Sequence, residues 1–308
     1  MTTHREFEPE PGVPFELHPL LTLLLAPNPS PMTNLGTNTY ILGSAPVAVI
    51  DPGPDDPAHL SALQATIGAR DVSHILVTHS HIDHSPLARP LALFYDAPVC
   101  AYGDSESGRS AIMQALALDG MVGGGEGVDP DFTPDEALPD NAVITGSWGQ
   151  ITALHTPGHM GNHLCFAWND TVFTGDLVMG WASSLVSPPD GDLTDFMASC
   201  AKLQNCDAQC YYPGHGAPIY EPAARIDWLI GHRRTRENQI LTVLAHGGAT
   251  AEKLMLKIYE EIGPALYPAA TRNVFAHLID LHVKGLVTAT PALSPTAVFR
   301  LDQEDAVD

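Results

Sequence analysis

Four potential metal ligands crowd into six residues of this chain, in the stretch Thr78-His79-Ser80-His81-Ile82-Asp83-His84. The stretch follows an apolar, β-rich run, Ile75-Leu76-Val77, which reads as a buried strand delivering the chain to a loop at a sheet edge. In extended chain, His79 and His81 lie two residues apart and project to the same side. A helix is expected to begin directly afterwards, with Pro86 in its first turn. Such a turn lets Asp83 and His84 face a second point close to the first, and two adjacent metal ions are the simple reading. A lone histidine is more often a packed or solvated side chain, and a His-rich tract without partners is a loose surface chelator. Partners later in the chain decide against both.

Those partners recur in one kind of place. Residues 150–155 read as a strand and run into Thr156-Pro157-Gly158-His159. The strand at 171–173 ends in Thr174-Gly175-Asp176, and a further short strand leads to Tyr211-Tyr212-Pro213-Gly214-His215-Gly216. His159, Asp176 and His215 each follow an apolar run and stand beside a glycine, where backbone turns sharply or approaches closely. Residues 47–50 likewise end in Asp51-Pro52-Gly53-Pro54. Asp51 either serves that turn or orients a ligating histidine, and its company favours the second role.

The remaining pattern sets the architecture. Residues 1–16, rich in Pro and Glu, read as a loosely held lead-in. Strands at 20–26, 37–42 and 98–102 alternate with helices at 56–69 and 87–95, which implies a layered α/β fold. Between residues 103 and 140 only a helix near 110–118 is regular. The run Gly123-Gly124-Gly125-Glu126-Gly127 lacks the Lys-Ser/Thr of a phosphate loop and reads as a flexible segment beside the site, a candidate lid. After strands at 142–145 and 164–168, residues 180–192 are again loop and 193–203 helical. From residue 222 the character changes: helices at 225–246, 251–262 and 269–284 precede a hairpin at 286–290 and 297–301. The boundary divides a catalytic unit, 1–221, from a winged-helix-like unit, 222–308, whose first helix packs back on the larger one.

Composition narrows the setting. The formal charge of −22 is uneven: residues 1–232 carry 6 Lys and Arg against 27 Asp and Glu, residues 233–308 carry 8 against 9. Such a surface repels polyanions. No apolar run approaches the roughly 20 residues that span a bilayer, and no signal peptide is evident, so a cytoplasmic protein without a membrane partner is expected. The five cysteines form no Cys-x-x-Cys pair. Free thiols are expected rather than a disulfide scaffold or a soft-metal site at Cys200, Cys206 and Cys210.

The set Asp51, His79-x-His81-x-Asp83-His84, His159, Asp176 and His215 resembles the metallo-β-lactamase fold superfamily at all five of its motifs, over residues of about 20 to 220. Gly36-Thr37-Asn38-Thr39-Tyr40, His159-x-x-x-His163 and the C-terminal helices further resemble the β-lactamase-like protein 2 branch. The likeness implies an αββα sandwich with a small winged-helix domain. It implies two divalent ions, zinc foremost with Fe or Mn also accepted. His79, His81 and His159 would hold one, Asp83, His84 and His215 the other, and Asp176 would bridge. Asp83, Asp176 and His163 are the expected catalytic residues, with His163 at the mouth of the site binding the transition state or protonating the leaving group. Asn38 and Tyr40 are weaker candidates for the substrate wall, balanced by plain strand packing.

Antibiotic hydrolysis is disfavoured, because true zinc β-lactamases lack the bridging aspartate. Glyoxalase II chemistry is disfavoured by the winged-helix-like tail. The expected activity is hydrolysis of a small ester, thioester or lactone by a metal-bridging hydroxide. The alternative, which the branch implies, is cleavage of single-stranded RNA. Phosphate neutralisation supplies much of RNA affinity, and a catalytic unit with this charge is poorly built for it. The one basic cluster, Arg233-Arg234-x-Arg236, lies on the connecting helix, where packing and salt bridges are expected rather than DNA contacts.

Overall fold

All five residues of the strand Asn38–Leu42 are buried, which requires cover on both faces of its sheet. A computed structural model describes residues 7–123, 127–259 and 262–302 and shows that cover. One sheet contains β1 (Phe15–His18), β2 (Leu21–Leu25), β3 (Asn38–Leu42), β4 (Val47–Ile50), β5 (Val72–Leu76), β6 (Val99–Ala101) and β7 (Glu136–Ala137), in that spatial order. It is antiparallel from β1 to β4 and parallel from β4 to β7. The second holds β8 (Val143–Gly146), β9 (Gly149–His155), β10 (Leu164–Trp168), β11 (Thr171–Gly175) and β12 (Cys210–Pro213), ordered β12-β11-β10-β9-β8. Tyr40, Leu42 and Ile50 of the first sheet meet Ile151, Phe166 and Phe173 of the second in the central core.

Helices close both outer faces. Helices α1 (Pro57–Ile67) and α2 (Ala88–Tyr95) set Leu63, Ile67, Leu91 and Ala92 against Ile41, Val49 and Ile75. Beyond α3 (Ala111–Leu118), helices α4 (Leu193–Gln204) and α5 (Pro222–Leu244) set Phe196, Leu203, Ile226 and Leu229 against Val172 and Tyr211. The layers are therefore helix, sheet, sheet, helix, the αββα sandwich that the resemblance implied. The far end of α5, with Ile240 and Leu244, enters another core with α6 (Ala251–Ile258), α7 (Tyr267–Val283) and the hairpin β13 (Val287–Thr290) and β14 (Val298–Leu301). Met113 and Leu116 of α3 join that core too.

Three expectations need correction. From Phe7 onward the lead-in is part of the sheet: Phe7 meets Phe15 edge-on at 5.6 Å, and Gly12 N donates to Leu25 O at 3.0 Å. Its polar composition masks the short edge strand β1; residues 1–6 lie outside the described residues. Pro86 is not in a helix, because turns closed by bonds to His81 O occupy residues 82–85 and α2 opens only at Ala88. The edge strand β7 has no apolar pattern, both its residues being exposed. The candidate lid falls mostly on residues 124–126, outside the described residues. All five cysteines are free, and no described helix is long and apolar enough to cross a membrane.

Asp56 caps α1 by accepting from His59 N at 2.8 Å, and Pro57 occupies the first turn. The His59 ring is then buried against Gly53 and within 3.0 Å of Thr39 Oγ1. Burial pushes its pKa from 6.5 down to about 4, so the unfolded chain takes up the proton first as pH falls. The stability this neutral ring represents is intact above pH 6.5 and lost toward pH 4, at up to about 1.4 kcal/mol per pH unit. His59→Gln is expected to flatten the fall in Tm between pH 6.5 and 4.5, read by calorimetry; an unchanged slope would acquit His59.

Candidate metal centre

The loops leaving β4, β5, β9, β11 and β12 gather at one edge of the sandwich, because the parallel strand pairs direct those ends the same way. The first sheet supplies Asp51, His79, His81, Asp83 and His84, and the second supplies His159, Asp176 and His215. At one point His79 Nε2 and His159 Nε2 approach His81 Nδ1 to 2.9 and 3.1 Å. At the other, Asp83 Oδ2 lies 3.4 Å from His84 Nε2 and 3.2 Å from His215 Nε2. Asp176 reaches both, with Oδ1 3.5 Å from His84 Nε2 and Oδ2 3.2 Å from His215 Nε2 and 3.8 Å from His159 Nε2.

Within each of three sets, His79-His81-His159, His79-His84-Asp176 and Asp83-His84-His215, the donor atoms lie within 4.8 Å of one another. The far nitrogens are already engaged. His84 Nδ1 is 3.0 Å from Asp51 Oδ2, His159 Nδ1 is 2.7 Å from Leu185 O, and His215 Nδ1 is 3.1 Å from Gly36 O. His79 Nδ1 faces Thr78 Oγ1 at 3.0 Å. These partners fix each ring so that its other nitrogen points inward, as metal-ligating imidazoles require. His84 Nε2 and Asp176 Oδ1 are buried with no hydrogen-bond partner. Buried polar atoms left this way fit a cation between them.

Electrostatics divides the two points. Burial, with His159 beside it, pushes His81 down to about 3, and burial with His84 holds His79 well below its usual value. Both are neutral donors. Burial works against the charge on His84 too, but Asp83, Asp176 and Asp51 outweigh it and hold its pKa well above the imidazole range. Asp176 overcomes burial at His215 in the same way, raising it to about 9. Asp83 and Asp176 resist the upward push of burial because His84 and His215 face them, and both are held below the carboxylate range.

Asp51 is buried in a left-handed conformation, φ 50°. Its Oδ1 accepts Thr78 N at 2.7 Å and its Oδ2 accepts Thr78 Oγ1 at 2.8 Å besides facing His84. His163 is fully buried, its ring centroid 5.3 Å from that of His79 and its Nδ1 3.0 Å from Thr156 Oγ1. Gly175 closes over its Nε2, where a Cβ would lie at 2.6 Å. Spacing from His159 could not reveal this, since the turn at residues 156–163 directs the ring inward. Asn38 and Tyr40 are also buried and bind the loop of His215, Asn38 Nδ2 to Pro213 O and Gly216 O at 3.0 and 2.9 Å and Tyr40 OH to Pro213 O at 2.7 Å.

Sequence reasoning missed Thr37, whose Oγ1 donates to Asp83 Oδ2 at 2.9 Å, although Thr37 stands in a motif singled out above. The Leu185 and Gly36 carbonyls left no signal, because a backbone acceptor does not depend on side-chain identity. Gly158 is demanded by packing: φ is 139°, and a Cβ there would lie 2.3 Å from Phe196 Cα. Gly158→Ala is expected to combine backbone strain with overpacking, about 3–5 kcal/mol, and to lower Tm by about 10 °C. A loss below about 2 °C by calorimetry would contradict the packing at Phe196.

This arrangement has a counterpart among known proteins. Residues 32–215 match the Metallo-beta-lactamase superfamily and residues 250–292 match the Beta-lactamase associated winged helix domain. The chain belongs to the metallo-beta-lactamase superfamily of hydrolases. It is 32% identical over 282 residues to a Beta-lactamase-like protein 2 homolog of Drosophila melanogaster, covering 85% of this chain and 87% of that one. It is 28% identical over 263 residues to an Atrochrysone carboxyl ACP thioesterase of Aspergillus fumigatus, covering 79% and 74%. A metallo-beta-lactamase family protein from Thermus thermophilus superposes with a TM-score of 0.73 at 26% identity, over 93% of this chain and 100% of that one.

Proposed function

We propose that this protein is a dinuclear hydrolase, with zinc as its resident metal, acting on a small ester, thioester or lactone. The observation that carries the reading is the convergence of seven side chains on two adjacent points, with the far nitrogens of four imidazoles already held. Imidazole and carboxylate donors suit zinc, and the same set accepts Fe or Mn. Two bound cations would lower the pKa of a water toward neutrality and polarise a substrate oxygen.

The chain's own residues do the rest. His79, His81 and His159 would hold one ion, Asp83, His84 and His215 the other, and Asp176 would be shared. Asp51 and Thr78 keep His84 and His79 from turning. The Asp83 side chain is 20% exposed against 9% for Asp176, so Asp83 is the carboxylate more open to a substrate. Held by Thr37, it would orient the attacking water.

Charge supports a small substrate over nucleic acid, since two of the three arginines in the basic cluster on α5 are spent internally. Arg233 is buried against Ser184 O and Phe196, while Arg236 bonds Ile258 O and covers Tyr259. Neither forms the expected salt bridge among the described residues, because backbone carbonyls and rings occupy them. The thioesterase relatives support an acyl thioester within the proposed class, and five free thiols suit a reducing, cytoplasmic setting.

Elemental analysis of the purified protein, paired with thioesters, lactones, aryl esters, bis-p-nitrophenyl phosphate and a single-stranded RNA, tests the reading. Two metals per chain with ester-type turnover is the expected result. Phosphodiester turnover alone would favour RNA as substrate, and a metal-free protein without activity would overturn the reading.

A further inference from the structure

The loop between β11 and α4 has no sheet partner, yet it carries the carbonyl that aims His159. His159 Nδ1 lies 2.7 Å from Leu185 O, and that contact leaves Nε2 free to face His81 and Asp176. The residues on either side of Leu185 are gripped from the C-terminal helices. Arg233 Nη2 of α5 donates to Ser184 O. Asn273 Oδ1 of α7 accepts from Val186 N at 3.1 Å and from Arg233 Nη1 at 3.1 Å. Arg233, Asn273 and residues 184–186 thus form a closed ring of bonds around one carbonyl.

Three more arginines hold the same loop. Arg225 donates to Met179 O and Ala182 O, Arg272 to Pro188 O at 2.9 Å, and Arg109 meets Asp190 at 2.8 Å. In a chain with 14 Lys and Arg, four on one loop is a heavy commitment. Arg233 stands out among them because it is only 2% exposed, with no carboxylate in ion-pair range among the described residues. A buried, unpaired charge is costly, and an apolar side chain of similar volume would pack there more cheaply. What the guanidinium adds is directional: two donors fixing two acceptors in one plane.

We propose that Arg233 and Asn273 are positioning residues of the metal centre, holding the Leu185 carbonyl so that His159 presents Nε2 to the ion shared with His79 and His81. This rests on the metal reading above. It makes the C-terminal helices part of the site although none of their side chains is among its donors.

The test is zinc affinity of the full-length chain, by competition with a chromophoric chelator, for wild type, Asn273→Ala, Arg233→Met and Arg233→Lys, with His159→Ala marking loss of the site. Asn273→Ala and Arg233→Met are expected to weaken one of the two zinc sites by about 10–100-fold, the usual effect of removing a group that orients a ligand. The other site stays within about twofold. Arg233→Lys, which keeps a donor for Ser184 O, recovers part of the loss. A merely structural role would lower the Tm of the metal-free protein and leave both affinities unchanged, which would overturn the proposal. Should Arg233→Met not fold, Asn273→Ala decides alone. Wild type binding no zinc would instead sink the metal reading itself.

Discussion

Asp176→Asn is expected to lower kcat/KM on the best substrate by about 10³-fold while leaving the fold intact. Asp176 is the described carboxylate that reaches both donor groups, through Oδ1 toward His84 and Oδ2 toward His215 and His159. Asparagine has the same outline, and that outline matters: Gly214 approaches so closely that a Cβ on it would lie 2.4 Å from Asp176 Oδ1. The exchange removes one negative charge between two proposed cations and turns one of the two carboxylate oxygens into an amide NH2, which cannot ligate. Losing one preorganised electrostatic group typically costs 10²–10³ in rate, about 3–4 kcal/mol of barrier, and the shared position puts this case at the upper end. Metal content should fall from two toward one. Activity within tenfold of wild type, at full metal content, would remove Asp176 from the bridging role.

The second large effect concerns stability. Without cations, two carboxylates and five imidazoles face one another at 2.9–3.8 Å. An ion that binds only the folded chain stabilises it by mass action, by about 2.7 kcal/mol per site at a hundredfold excess over Kd. Two sites and a chain of this size translate into a Tm difference of about 10–20 °C between zinc-loaded and chelator-treated protein. Calorimetry before and after dialysis against chelator, then after zinc is restored, measures it. Superimposable transitions would mean that the cations contribute nothing to the folded state.

The donor set was legible because each member sits at the end of an apolar run. There an apolar run yields to a turn, with glycine beside His159, Asp176 and His215, and chemistry and geometry coincide locally. The layered fold was legible in part, since strands such as Val47–Ile50 are buried throughout and read as continuous apolar runs. What escaped depends on contacts distant in sequence. Phe15–His18 becomes a strand because β2 offers it an edge. His163 is buried because Gly175, at the end of another strand, closes over it. The grip of Arg233 and Asn273 on residues 184–186 joins three segments that share no local pattern, and the acceptor it serves is backbone.

The donors are dealt from both halves of the sandwich, His79, His81, Asp83 and His84 from one sheet and His159, Asp176 and His215 from the other. An ion seated there acts as a removable cross-link between halves that otherwise meet chiefly through apolar contact. It closes long loops of chain in the manner of a disulfide, but in a form that a reducing compartment permits. Ion capture therefore doubles as proof of assembly, because a molecule whose two sheets had docked out of register would assemble neither complete set.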